Sequence, residues 1–251
     1  MFKFDHFVLN VGSSYQKNQD VINNMPQAGF PYKPSLGKGS KEFNLSNLWI
    51  GNEYLEMVHL LSPEGNGWKK DWIQFFNSGH RGVICIMLQA LDIHKLYSDL
   101  RKENVLITFP EAPNLKFFFN LFTKTMPWKN SYISFFEGIP LQIGFQQVKD
   151  EHTRKHIEKY MKPNIFENDI LNINKAIVRG PLTSDDFLLI KAVFHEHITN
   201  FAPLTIALDN NQSLIFEKSP IYEVHLFTTC ENELYLNKSV SIENLTLSNS
   251  I

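Results

Sequence analysis

The stretch Phe4-Asp5-His6-Phe7-Val8-Leu9-Asn10-Val11 decides the fold. It is dense in β-branched and aromatic residues and reads as a strand. Side chains along a strand alternate between its faces. Asp5, Phe7, Leu9 and Val11 therefore share one face, and His6, Val8 and Asn10 share the other. The first face is apolar apart from its end, as a helix-covered surface should be. The second carries an imidazole and an amide, which is unusual for a strand buried on both sides. Glu53-Tyr54-Leu55-Glu56-Met57-Val58-His59-Leu60-Leu61 has the same feature, with Glu56 inside an apolar run.

Between these two strands the chain supplies one helix and one more strand. Gly12-Ser13-Ser14 offers a helix start with serine as cap. Val21, Ile22 and Met25 follow at helical spacing, and Gly29 stops the run. Phe43 to Ile50 is a strand, and Gly51-Asn52 is a two-residue hairpin turn. After a connector with Trp68, Trp72, Ile73 and Phe76 on one helix face, the order starts again. Gly82 to Gln89 is a strand. Asp92 caps a helix carrying Ile93, Leu96, Tyr97 and Leu100. Strands follow near 105–108, 115–123, 131–137 and 141–147. This is an internal repeat of βαβββ modules. A third, looser copy is expected from Ile173 onward, with strands at 204–208, 213–216 and 222–228 and a hairpin within 233–246. The expected division is residues 1–149 as a paired-module domain and 150–251 as a C-terminal α+β module.

Composition narrows the function. Hydrophobic residues make up 43% of the chain, enough for a sizeable core. A formal net charge of −2, with scattered arginines, gives nucleic acid or an anionic membrane no electrostatic hold. Cys85 and Cys230 are the only cysteines, so a reduced cytoplasmic setting is expected rather than a disulfide framework. No signal peptide and no apolar run of bilayer length is read. Phosphate loops, dinucleotide fingerprints and Cys-x-x-Cys pairs are absent from the sequence. His195 and His197 flank Glu196, a spacing that does not bring them together on a helix.

Paired modules opening with Asp5-His6-Phe7-Val8-Leu9, together with Gly39-Ser40, Asn44 and Tyr54-Leu55-Glu56, resemble the vicinal oxygen chelate superfamily. That group includes glyoxalase I, bleomycin-resistance proteins and extradiol dioxygenases. The likeness is to its glyoxalase-like domain proteins and covers about Met1 to Gln147. It implies a half-open barrel of two modules with a metal or ligand in its concave interior. It also implies metal ligands on the first and last strands of each module. In the first module those positions are His6 and Glu56. In the second, Ile84 or Cys85 and the strand Leu141 to Gln147 offer neither histidine nor carboxylate, leaving Cys85, Gln142 or Gln146 as third ligands.

Three readings of His6 and Glu56 stay open. They hold a divalent metal, which needs further ligands. They form a catalytic acid/base pair without metal, Glu56 gaining basicity from an apolar pocket. Or they hydrogen-bond to each other and satisfy two buried polar groups. The Gly51-Asn52 turn sets Ile50 opposite Glu53, Trp49 opposite Tyr54 and Asn47 opposite Glu56. Asn47, Trp49 and Tyr54 then form an aromatic-walled substrate site beside Glu56. The expected function is a glyoxalase-like lyase, isomerase or dioxygenase on a small molecule, or a non-catalytic binder of bleomycin-resistance type. The third module's strands would expose Leu204, Ile206, Leu214, Phe216, Val224 and Leu226. A homodimer is one way to cover them, and packing on the first two modules is the other.

Overall fold

A computed structural model describes residues 2–65, 67–117, 122–195 and 203–251. The expected strands Lys3–Asn10 (β1), Phe43–Ile50 (β3) and Glu53–Leu60 (β4) form, with a short edge strand Lys38–Gly39 (β2). The expected single helix is two, Ser14–Lys17 (α1) and Gln19–Gln27 (α2). Ser13 makes no side-chain cap bond, whereas Asn18 accepts from the Asp20 N–H and starts α2. The connector contains the helix Lys70–Asn77 (α3), which buries Trp72, Ile73 and Phe76.

The second module is Gly82–Gln89 (β5), the helix Ile93–Lys102 (α4), a separate hairpin Asn114–Phe117 (β6) and Phe122–Thr125 (β7), then Trp128–Tyr132 (β8) and Gln142–Val148 (β9). Asp92 Oδ1 accepts from the Lys95 N–H and caps α4. Strands β1 to β5, β8 and β9 make a seven-stranded half-barrel in the order β2-β3-β4-β1-β5-β9-β8. β1 runs parallel to β4 and antiparallel to β5, and β5 runs parallel to β9. The two modules therefore meet along their opening strands.

After the helix Glu151–Glu158 (α5), the C-terminal part builds a second sheet of the same pattern. Its elements are Ile170–Gly180 (β10), the helix Ser184–Phe194 (α6), Leu204–Ala207 (β11), Ser213–Lys218 (β12), Glu223–Cys230 (β13), Ser239–Ile242 (β14) and Leu245–Ser250 (β15). The order is β11-β12-β10-β13-β15-β14. Here β10 pairs parallel with β12 and antiparallel with β13, and β13 pairs parallel with β15. The expected looser third copy is thus two modules, the last without a helix between its first strand and its hairpin.

The two sheets share one core. Phe7, Leu55, Ile86 and Phe145 of the half-barrel's outer face join Leu204, Ile206, Leu214, Phe216, Val224 and Leu226, with Met25, Leu100 and Phe187 from the helices. Those C-terminal side chains are essentially inaccessible. The expected exposed face is therefore covered by its own chain, and the reason for a homodimer falls away. Gln212 ties the sheets: its Oε1 accepts from the Phe4 N–H at 2.8 Å, and its Nε2 donates to the Ile173 carbonyl and to Glu53 Oε1 at 2.8 and 3.1 Å. Among the described residues, no helix is long and apolar enough to cross a membrane.

Candidate functional site

Register alone lays out the concave floor. One row runs Trp49, Tyr54, His6, Met87, Gly144 and Tyr132 across β3, β4, β1, β5, β9 and β8. The next runs Asn47, Glu56, Val8, Cys85 and Gln142. The β3–β4 register is the one a two-residue turn requires. Gly51 sits there at φ 65°, and a Cβ would come within 2.2 Å of the Leu171 carbonyl oxygen. Gly144 serves the floor differently: a Cβ there would meet the Met87 sulfur at 2.2 Å and the Tyr132 ring at 2.8 Å.

Strict alternation fails at Asp5. The β1–β5 pairing shifts between Phe4 and His6, a bulge that leaves Asp5 without a register partner. Phe4 consequently packs on Phe7 in the outer core, ring centroids 5.3 Å apart, and Asp5 turns toward His6. The expected face Asp5, Phe7, Leu9 and Val11 thus loses its first member. His6 Nδ1 donates to Asp5 Oδ1 at 2.7 Å, while Arg154 of α5 donates to Asp5 Oδ2 at 3.4 Å. Asp5 and His6 are each only 5% exposed. The His6 ring lies flat on Tyr54 at 4.5 Å, and Tyr54 packs on Trp49 at 4.6 Å. With Nδ1 committed, Nε2 is the open nitrogen of the ring.

Glu56 lies one row further on. It keeps partial solvent contact, and no described group hydrogen-bonds to its carboxylate. The expected His6–Glu56 hydrogen bond is replaced by the His6–Asp5 pair. Burial pushes the Glu56 carboxyl above its ordinary value; positive charge on His6 opposes this, and Asp5 adds to it. Burial also holds the Tyr54 and Tyr132 phenols well above their usual range, so both are neutral donors. Asn47, opposite Glu56, has a buried Oδ1 without a partner, and so do both amide atoms of Asn10 further along β1. A bound molecule or water would satisfy them.

The second-module half of the floor is filled differently. Trp72 of α3 donates Nε1–H to Gln142 Oε1 at 3.2 Å, and Gln142 Nε2 donates to the Ile133 carbonyl at 2.6 Å. Lys69, just before α3, holds its ammonium 5.0 Å from the Tyr132 ring centroid and 5.7 Å from that of Trp72. Asp71 is its ion partner at 3.2 Å. The Cys85 thiol, fully buried, is pushed far up despite the nearby Lys69 charge.

This donor set does not fit a resident metal. His6 and Glu56 are two candidates, but Gln142 is used at both ends, and Cys85 is fully buried with its thiol against the Met87 sulfur. Among the described residues, no three His, Cys, Asp or Glu side chains lie together as a metal site. Glu196 and His197 lie outside the described residues, and His195 ends α6 in a left-handed turn.

Sequence reasoning missed Asp5, Arg154 and Lys69 as site residues. Asp5 was visible as the one polar residue on an apolar face, and Lys69 as a cation between Trp68 and Trp72. Nothing in the sequence marked Arg154.

No family model matches the chain, and no curated protein matches its sequence. Solved structures do. A Staphylococcus aureus protein described as hypothetical superposes with a TM-score of 0.69 at 15% identity, covering 99% of this chain and 100% of that one. A hypothetical Bacillus halodurans protein covers 60% of this chain and 96% of its own, with a TM-score of 0.41 and 14% identity. Streptomyces coelicolor methylmalonyl-CoA epimerase, in complex with 2-nitronate-propionyl-CoA, covers 59% and 98%, with a TM-score of 0.40 and 12% identity. At these identities the whole-length likeness is one of fold: an α+β chain of βαβββ-like modules with a half-barrel sheet.

Proposed function

We propose that the half-barrel is a small-molecule enzyme that moves a proton at a carbon next to a carbonyl, with Glu56 as base. One observation carries this reading. Glu56 is a carboxylate deep in the molecule, reached by solvent, free of hydrogen bonds among the described residues and raised in pKa, beside a histidine oriented by Asp5. In the step, the substrate C–H bond breaks, its proton passes to a Glu56 oxygen, and the electron pair moves onto the carbonyl oxygen as an enolate. The Tyr54 hydroxyl is the donor available to steady that oxygen, joined by His6 Nε2–H when the ring carries its second proton. The ammonium of Lys69 and the guanidinium of Arg154 lie by the floor, each already paired with a carboxylate, Asp71 and Asp5. Return of the proton to the other face gives an isomerase, and loss of a leaving group gives a lyase. The dioxygenase form of the reading gains no support from this donor set.

The stack of Trp49, Tyr54 and His6 would also suit a binder that sequesters a flat ligand. Buried free thiols at Cys85 and Cys230 suit a cytoplasmic setting, and residues 150–251 serve as a buttress behind the site. The test is solvent deuterium exchange, followed by NMR, on a panel of 2-oxo acids, 3-oxo acids and thioesters. Exchange by the wild type and its loss in Glu56→Gln support the enzyme. Binding without exchange supports the binder. Equal exchange by both proteins refutes the role given to Glu56.

A further inference from the structure

A cavity lies on the other face of the half-barrel edge. Its volume is about 470 Å³, within the usual range for small-molecule sites. Lys17, Lys33 and Lys38 stand around it, and no acidic residue is in its wall. Among the described residues none of these ammonium groups forms an ion pair. Glu42, the nearest acid along this loop, is bonded to Ser62 instead. In a chain of net charge −2, three unneutralised cations around one hollow mark a local reversal of sign.

The rest of the wall is apolar or neutral. Ile22, Tyr32 and Pro34 line it, and Tyr32 is fixed because its hydroxyl donates to the Tyr15 carbonyl at 3.0 Å and accepts from Ser46 Oγ at 2.7 Å. Asn44 and Ser46 project away from the Glu56 side, because Asn47 faces Glu56 and neighbours alternate. The hollow is much larger than an inorganic phosphate needs, and its apolar wall would be wasted on one.

We propose that this cavity binds a small organic phosphate, its phosphate among Lys17, Lys33 and Lys38 and its organic body against Ile22, Tyr32 and Pro34. The site is separate from the His6–Glu56 groove and does not depend on the reaction assigned there. Isothermal titration of the full chain with ADP and with pyrophosphate tests it. ADP should bind more tightly than pyrophosphate, and affinity should fall as salt rises from about 50 to about 500 mM. The variant Lys17→Ser/Lys33→Ser/Lys38→Ser alters only exposed side chains and should keep the wild-type circular dichroism. It should lose at least about tenfold in ADP affinity, while Glu56→Gln should bind ADP as the wild type does. Three results overturn the proposal: no heat with ADP, equal affinity for ADP and pyrophosphate, or a folded triple variant that binds ADP like the wild type.

Discussion

Glu53 should make the protein less stable as pH rises from mildly acidic to neutral. It begins β4 at the junction of the two sheets and is 5% exposed. One carboxylate oxygen accepts from Gln212, and the other has no partner. Burial lifts its pKa from 4.5 to about 7, with the Gln212 bond and the Lys3 charge opposing. A carboxyl with a raised folded pKa is neutral to folding while both states are protonated and opposes it once the unfolded chain ionises. Below pH 4.5 it costs nothing. Between 4.5 and 7 the unfolded chain ionises and the folded one does not, so stability falls; above 7 the loss levels off. From those two pKa values, the penalty is about 1 kcal/mol at pH 5 and about 3 kcal/mol at pH 8. Glu53→Gln removes the titration and leaves the size unchanged. Its own unpaired amide hydrogens add a constant cost of about 1–3 kcal/mol at every pH. The difference between pH values is therefore the diagnostic. Denaturant unfolding of both proteins should show the variant gaining about 2 kcal/mol on the wild type between pH 5 and pH 8. A gap between the two proteins that stays constant across that range would refute the reasoning.

The other expectations are briefer. Glu56→Gln should fold normally and lower the exchange rate by about a hundredfold or more, measured by NMR on whichever substrate the wild type turns over. Because Asp5 raises the Glu56 pKa, Asp5→Asn should move the acidic limb of the pH–rate profile to lower pH; a limb that stays put would remove Asp5 from the site. Trp72→Phe should lose about 1–2 kcal/mol in chemical denaturation, since Gln142 Oε1 is left buried without a donor. Gly51→Ala should lose more than about 1 kcal/mol, because the turn needs φ 65° and no Cβ fits against Leu171. Light scattering at low concentration should report a monomer, and a dimer would show a contact outside the covered C-terminal face.

Much of this was legible because it depended on spacing. The Gly51-Asn52 turn fixed the β3–β4 register, and alternation then put Asn47, Trp49, Tyr54 and Glu56 on one face. His6 joined them through the parallel pairing of β1 with β4. Asp5 was misplaced because a bulge shifts register by one residue without a residue type that announces it. Arg154 arrives from a helix after the half-barrel, and sequence distance hides such partners. The last module was hidden by its missing helix, since a strand and a short hairpin carry little periodic signal. The cover over the C-terminal strands was hidden for a related reason: it comes from the half-barrel's outer face together with α2, α4 and α6, which no local pattern reveals.

The site is one-sided for a physical reason that ties these elements together. The connector between the modules folds as α3 and lays Trp72 and Lys69 over the second-module half of the floor. Gly144 makes that possible, since any side chain there would displace Met87 and Tyr132. Gln142 is then spent on Trp72 and on its own backbone neighbourhood rather than on a ligand. What remains open is the first-module half, where His6 and Glu56 have an oriented nitrogen and an unbonded carboxylate. A pair so placed can pass a proton between two positions on one substrate. In the proposed reaction, the same asymmetry would set the substrate's acidic carbon toward Glu56.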